Sequence, residues 1–177
     1  MKRIALLLIL FLGVVNLYSQ TKTDERTIGV HVTPGIYLGM GPAGTFGVGL
    51  DYSKKLSEKW SFCSGFEQHA LGLFNIISYS ERPWKITSIP VQLKHHGKYV
   101  DFKFGPVVNS FGLFYNKMAT TFILGWEFGV GFEREFNKGI ILYLNPNVRI
   151  NGIVLSELDG GYRNLQAGVS LGIGKKF

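Results

Sequence analysis

Cysteine is almost missing from this chain: Cys63 stands alone among 177 residues. One thiol makes no internal disulfide and no cysteine-built zinc cluster. No cysteine lies near the N-terminal leader, which argues against a lipoprotein anchor. The common catalytic signatures are missing as well. The one G-x-S-x-G string, Gly168–Gly172, lies inside an alternating run rather than on a strand-to-helix elbow, and there is no H-E-x-x-H pair and no paired-cysteine metal site. No linker, low-complexity tract or block of like charge divides the sequence. What remains is one domain's worth of chain.

The ends are informative. Lys2 and Arg3 precede an apolar core of twelve residues, Ile4 to Val15, with Ser19 and Gln20 at the expected cut. This is the pattern of a secretory signal peptide, and it is too short for a transmembrane helix with such flanks. Residues 1–19 are therefore read as the signal and 20–177 as the domain. The leader carries two of the 19 basic residues and no acid, leaving 17 against 12, or +5. That excess suits anionic lipopolysaccharide, and export argues against nucleic acid.

Alternation dominates the rest. From Phe122 to Phe136 the even positions are Phe122, Leu124, Trp126, Phe128, Val130, Phe132 and Phe136, broken only by Arg134. The odd positions carry Gly125, Glu127, Gly129, Gly131, Glu133 and Glu135. Period two over this length marks a strand whose faces meet different surroundings, long enough to cross a bilayer when tilted. The same reading predicts eight strands, at about Thr27–Leu38, Thr45–Lys54, Trp60–Leu71, Lys85–Lys94, Tyr99–Ser110, Thr121–Phe136, Ile140–Asn151 and Tyr162–Phe177. Short turns fall at Leu56–Lys59, His96–Lys98 and Asn137–Gly139. Longer links fall at Gly39–Gly44, Gly72–Trp84, Phe111–Thr120 and Ile153–Gly161. The expected fold is all-β: an eight-stranded antiparallel up-and-down transmembrane barrel, with short turns and both ends on the periplasmic rim.

Volume decides which face is inside. The bore of eight strands only just holds side chains. The apolar set, with Phe46, Phe66, Phe102, Phe104, Trp126, Phe128 and Phe132, is too large for it. The opposite set is rich in Gly, Ser, Thr and Asn. The oily face is therefore predicted to point outward into lipid. Tyr52, Trp60, Phe136 and Phe177 fall at one rim and Trp84, Phe114, Tyr115 and Phe122 at the other, as aromatic girdles do. Inward charges in so narrow a space must be paired or wet. His31, Asp51, Glu67, His69, Lys94, Asp101, Lys103, Glu127, Glu133 and Arg149 are all expected inside. Glu67, Glu127 and Asp51 are expected to form a lumenal network with Lys103, Arg149 and Lys94. Cys63 is expected as a small buried side chain on the inner face.

Three segments carry a family resemblance. Gly168–Phe177 (GVSLGIGKKF) resembles the C-terminal signal that the barrel-assembly machinery recognises, with Phe177 as its terminal aromatic. Ser88–Lys94 (SIPVQLK), a short turn, and Phe102–Val108 (FKFGPVV) resemble the PorT-like outer-membrane β-barrel domain family of Bacteroidota. The leader ending at Tyr18, Ser19 and Gln20 is similar to leaders of that group. The resemblance implies an outer-membrane location, no transferred catalytic residue and, for some relatives, assistance to secretion.

The functional expectation is a non-enzymatic surface barrel, without cofactor, with a filled lumen. Apolar outer links offer Phe74, Tyr79, Trp84, Phe114 and Tyr115 to a protein, a glycan or the lipopolysaccharide headgroup zone. A lipid-modifying enzyme is the alternative, needing a nucleophile beside a base; His69 with Ser78 or Ser80 is its candidate pair. A small pore is the third reading. His95 and His96 are expected on a wet periplasmic turn.

Overall fold

In a computed structural model of the chain, residues 25–38, 42–71, 84–111, 121–154 and 164–177 are described. Residues 1–24, which include the expected leader, and most of the four longer links lie outside them. Eight strands follow in order: β1 (Arg26–Leu38), β2 (Pro42–Lys55), β3 (Trp60–Leu71), β4 (Trp84–His96), β5 (Asp101–Phe111), β6 (Thr121–Phe136), β7 (Ile140–Val154) and β8 (Asn164–Lys176). Each pairs antiparallel with its sequence neighbour, and β8 pairs with β1, closing the barrel. The closure extends past the last strand residue: the Phe177 amide donates to the Arg26 carbonyl at 2.9 Å. The start of β1 and the C-terminal Phe177 therefore sit on the rim that carries the three short turns.

Strands of 11 to 16 residues result because the alternation is uninterrupted. Such lengths exceed what a tilted strand needs to cross a bilayer. The turns stop them locally. Between β2 and β3 the Leu56 and Ser57 amides both donate to the Trp60 carbonyl, and Leu56 is buried beneath. Between β6 and β7, Lys138 and Gly139 both take φ of 70°. That left-handed pair reverses the chain in three residues, and glycine at the second position adopts it without strain.

The faces divide as alternation requires. Leu50 is 56% exposed and Phe128 51%, whereas Glu127 is 3% and Arg149 2% exposed. Exposed apolar side chains recur on the outer face of strands all round the barrel, among them Ile28, Leu50, Phe66, Ile89, Phe102, Trp126, Ile150 and Ile173. A soluble monomer leaves only a few hundred Å² of contiguous apolar surface; a belt round the whole barrel is covered by acyl chains. The interior instead collects histidine, serine, threonine, asparagine and paired charge.

Several boundaries differ from the sequence reading. β2 begins at Pro42, so half of the expected Gly39–Gly44 link is strand. β4 extends from Trp84 to His96, which takes Trp84 out of its expected loop and His95 and His96 out of their expected turn. β5 starts at Asp101, two residues later than expected. β7 runs to Val154 through a bulge: Leu124 pairs with Ile153 but Gly125 with Asn151, leaving Gly152 unmatched. Polar turn residues suggested earlier ends; continuous pairing with neighbouring strands overrides that local signal.

Candidate functional site

The bore is the part of the molecule where chemistry is concentrated, and its inner half nearest the longer links is closed. Arg149, on β7, projects across the lumen. Its Nη2 donates to Glu67 Oε2 on β3 at 2.7 Å, and its Nε to Glu127 Oε2 on β6 at 2.8 Å, with Nη2 also bonded to Glu127. Nη1 donates to Ser88 Oγ on β4 at 2.8 Å. Ser88 donates to Asn109 Oδ1 at 2.6 Å, and Asn109 to Asn151 Oδ1 at 2.7 Å. One guanidinium thus ties β3, β4, β6 and β7 together. A buried arginine between two carboxylates meets the condition that buried charge be paired and fully hydrogen-bonded. Ile86, Val107 and Ile123 are buried on the inner face of the same half and exclude water from it.

Two histidines extend the cluster. His69 Nε2 lies 2.9 Å from Glu67 Oε2, and its Nδ1 lies 3.3 Å from Gln166. His31 Nδ1 lies 2.7 Å from Asp51 Oδ2. The other ring nitrogen of His31 is 3.2 Å from Glu67 Oε1, an ion contact off the hydrogen-bonding direction. Tyr143 Oη donates to Asp51. The bulky side chains fit because the residue directly opposite each is glycine. His31 faces Gly49, His69 faces Gly47, Tyr143 faces Gly172 and Asn151 faces Gly125. A Cβ on any of those glycines would fall within the volume its partner occupies.

The half nearest the short turns is open. A small cavity of about 40 Å³ is bounded by Asp51, Cys63, Gln92, Lys103, Glu133 and Tyr143. It adjoins a wider polar mouth of about 220 Å³ lined by Glu25, Lys55, Lys94, His96, Glu135 and Lys176. Here Lys94 Nζ donates to both oxygens of Glu133, at 2.8 and 2.9 Å, and lies 3.8 Å from Asp101. His96 Nε2 is 2.7 Å from Ser61 Oγ, and its Nδ1 is 3.3 Å from Asp101. At the lip, outside the strands, Glu25 accepts from Lys55 at 3.1 Å and lies 3.4 Å from Lys176. The Lys55 bond, then the Lys176 charge, hold the Glu25 carboxyl below the usual carboxylate value against slight burial.

Of the six expected network residues, Arg149, Glu67 and Glu127 come together directly, and Asp51 joins through His31. Lys94 does not join them: it belongs to a second cluster with Glu133 and Asp101. Lys103 lies over the Tyr143 ring, 5.5 Å from its centroid, rather than in an ion pair among the described residues. The expected set therefore splits in two. Cross-strand register decides this, because it places Lys94 and Glu133 at the short-turn end of the bore and Arg149 at the other. His31, His69, Tyr143, Ser88, Asn109 and Asn151 were missing from the expected network. The signal for four of them was present as an inward parity opposite a glycine.

The remaining candidates fall as follows. Cys63 is buried on the inner face, with its thiol donating to Ser53 Oγ at 3.5 Å. His95 and His96 occupy successive strand positions and so lie on opposite faces. His95 packs edge-on against Trp60, ring centroids 4.7 Å apart, which separates it from His96 as a ligand pair. Phe74, Ser78, Tyr79, Ser80, Phe114 and Tyr115 lie outside the described residues.

No protein-family model matches the chain, and no curated protein matches it in sequence. Solved structures do. Neisserial surface protein A superposes with a TM-score of 0.60 at 13% identity, covering 86% of this chain and 97% of that one. Outer membrane protein AlkL, solved in lipid bilayers, gives 0.57 at 14% identity, covering 88% and 90%. Ail, the attachment invasion locus protein of Yersinia pestis, gives 0.54 at 16% identity, covering 88% and 99%. The fold is that of a small eight-stranded outer-membrane β-barrel, and an outer membrane is where its apolar belt is covered.

Proposed function

We propose that this chain is a non-enzymatic outer-membrane barrel: a closed, rigid post whose longer links make its surface contacts. The observation that carries this reading is the Arg149 bridge, which fills the bore from β7 to β3 and β6. A guanidinium held by two glutamates and a serine, beside buried Ile86, Val107 and Ile123, packs that half of the bore with side chains. His69, locked between Glu67 and Gln166, supports a structural role over a catalytic one.

On this reading residues 1–19 are a removed leader, the short-turn rim is periplasmic, and the strand ending in Phe177 is what the assembly machinery reads. Phe74, Tyr79, Trp84, Phe114 and Tyr115 then present an aromatic surface to a protein, a glycan or the lipopolysaccharide headgroup zone. The Ail barrel has been crystallised with a heparin analogue, sucrose octasulfate, so a barrel of this fold can take an external ligand. Membership of the PorT-like family, with a role accessory to secretion, is a finer version that rests on the SIPVQLK and FKFGPVV segments and the leader ending Tyr18, Ser19 and Gln20.

Planar-bilayer recording tests the closed bore. The refolded protein is expected to show no steady conductance; a persistent open current overturns the closed post. For the links, photo-crosslinkers at Tyr79 and Trp84 in intact cells are expected to trap a partner. Substitution of both residues without loss of that partner would remove the binding role.

A further inference from the structure

Three side chains at the short-turn mouth of the bore take no part in the Arg149 cluster. Ser61 is the second residue of β3, His96 the last of β4 and Asp101 the first of β5. His96 and Asp101 are a directly opposed pair across the tight β4–β5 turn. Ser61 is paired with Lys94, two positions before His96, so it stands diagonal to the imidazole on the same inward face.

Their geometry is that of an activated hydroxyl. Ser61 Oγ lies 2.7 Å from His96 Nε2. On the other side of the ring, His96 Nδ1 lies 3.3 Å from Asp101 Oδ1. A carboxylate at Nδ1 draws the ring proton to that nitrogen and leaves Nε2 as acceptor for the Ser61 hydroxyl. Asp101 is itself fixed by the Gly97 amide. Nucleophile, base and positioning carboxylate are thus in reach of one another. Ser61 and Asp101 are buried in the wall, whereas the His96 side chain is 26% exposed. Ser61 and His96 both line the polar mouth of about 220 Å³, which has room for a short acyl ester.

Oxyanion donors are what this site lacks. Lys55 and Lys94, paired with Ser61 on β2 and β4, line the mouth but already bond Glu25 and Glu133. The Ser61 backbone is taken up in the ladders to both strands rather than turned into the bore. With a base but no preorganised donors, the hydroxyl attacks an acyl carbon only where the leaving group is good. The serine ester that results is an ordinary alkyl ester, and its hydrolysis would need the missing donors.

We propose that Ser61 is a covalent modification site, which takes one acyl group from a small activated ester entering the short-turn mouth. Ser61 Oγ bonds the carbonyl carbon, and the bond from that carbon to the leaving oxygen breaks. The hydroxyl proton passes through His96 Nε2 to the departing oxygen. The products are the Ser61 ester and one alcohol. The step is stoichiometric, so it goes beyond the closed post without making the barrel an enzyme.

The test uses the full chain, refolded in detergent micelles, and p-nitrophenyl acetate. A Ser61-dependent burst of one equivalent of nitrophenol is expected, with the acetyl group on the Ser61 peptide by mass spectrometry. Ser61→Ala should lose the burst, and His96→Gln should slow it about a hundred-fold. Asp101→Asn should lower the burst rate at saturating ester and leave the half-saturating concentration unchanged, as a positioning residue does. Heat-unfolded protein should leave Ser61 unlabelled. Acetyl on lysines alone overturns the proposal, as does equal labelling of Ser61 in His96→Gln or in the unfolded chain. Ser61-dependent release that continues past one equivalent overturns the single step and the non-enzymatic reading together, whereas absence of labelling leaves that reading intact. If a variant lacks the heat-modifiable gel shift of a folded barrel, labelling of the unaltered protein, folded against unfolded, decides.

Discussion

The two halves of the bore are built from the same kinds of residue and behave differently. Toward the longer links, charge is dry: Arg149, Glu67 and Glu127 are almost fully buried, under Ile86, Val107 and Ile123. Toward the short turns, Lys94 is buried too, but its partner Glu133 and the nearby Glu135 reach a polar mouth. The contrast teaches that an ion pair's weight in this barrel is set by its surroundings more than by its geometry. Lys94 donates to both oxygens of Glu133 at 2.8 and 2.9 Å, close to the 2.8 Å of Arg149 Nε to Glu127. Water can reach Glu133 there, whereas both carboxylates held by Arg149 are buried.

The sharpest way to break that contrast is Arg149→Ala. It leaves Glu67 and Glu127 buried without their cation, and removing one partner from such a pair costs about 3–5 kcal/mol. Denaturant unfolding of the refolded barrel should show that loss; the matching Lys94→Met leaves Glu133 in reach of water and should lose less, about 1–2 kcal/mol. Equal losses would erase the distinction between the halves. On the outer face, Phe128→Arg near the middle of β6 should cost about 2–4 kcal/mol in lipid vesicles. A negligible cost there would mean that lipid does not cover this face.

Gly172→Ala tests the junction between the halves. The new methyl falls within the Tyr143 ring, so Tyr143 must leave Asp51, at a cost of about 1–3 kcal/mol. Double substitution with Tyr143→Phe should then be less than additive. The smallest effect is at the lip. Glu25→Gln should cost no more than about 0.5 kcal/mol, because the pair with Lys55 is solvent-screened. The folded carboxyl titrates lower than the unfolded one, so the contribution is whole above the usual carboxylate range. It is lost as the pH falls through the lowered folded value. A pH-independent difference between Glu25→Gln and the parent would show that the ion pair contributes nothing.

Much of this was legible beforehand. β3 and β6 have the bounds expected from alternation, since Trp60, Leu71, Thr121 and Phe136 coincide with changes of pattern that no neighbour contradicts. Inward parity correctly located His31, Glu67, His69 and Arg149. The Gly152 bulge and the true ends of β4, β5 and β7 were not legible, because pairing with an adjacent strand, rather than local composition, fixes them. Nor was the split between the Arg149 and Lys94 clusters: parity says that a side chain enters the bore, not at what height it meets another.

By itself, then, the sequence determined the strands, their number and the direction each residue faces. Those follow from period two and from a bore too narrow for the aromatic set. Only the closed barrel decided which charges meet, which glycine accommodates which ring, and which half holds water. Those depend on the stagger between strands, a property of the circuit as a whole and of no single segment.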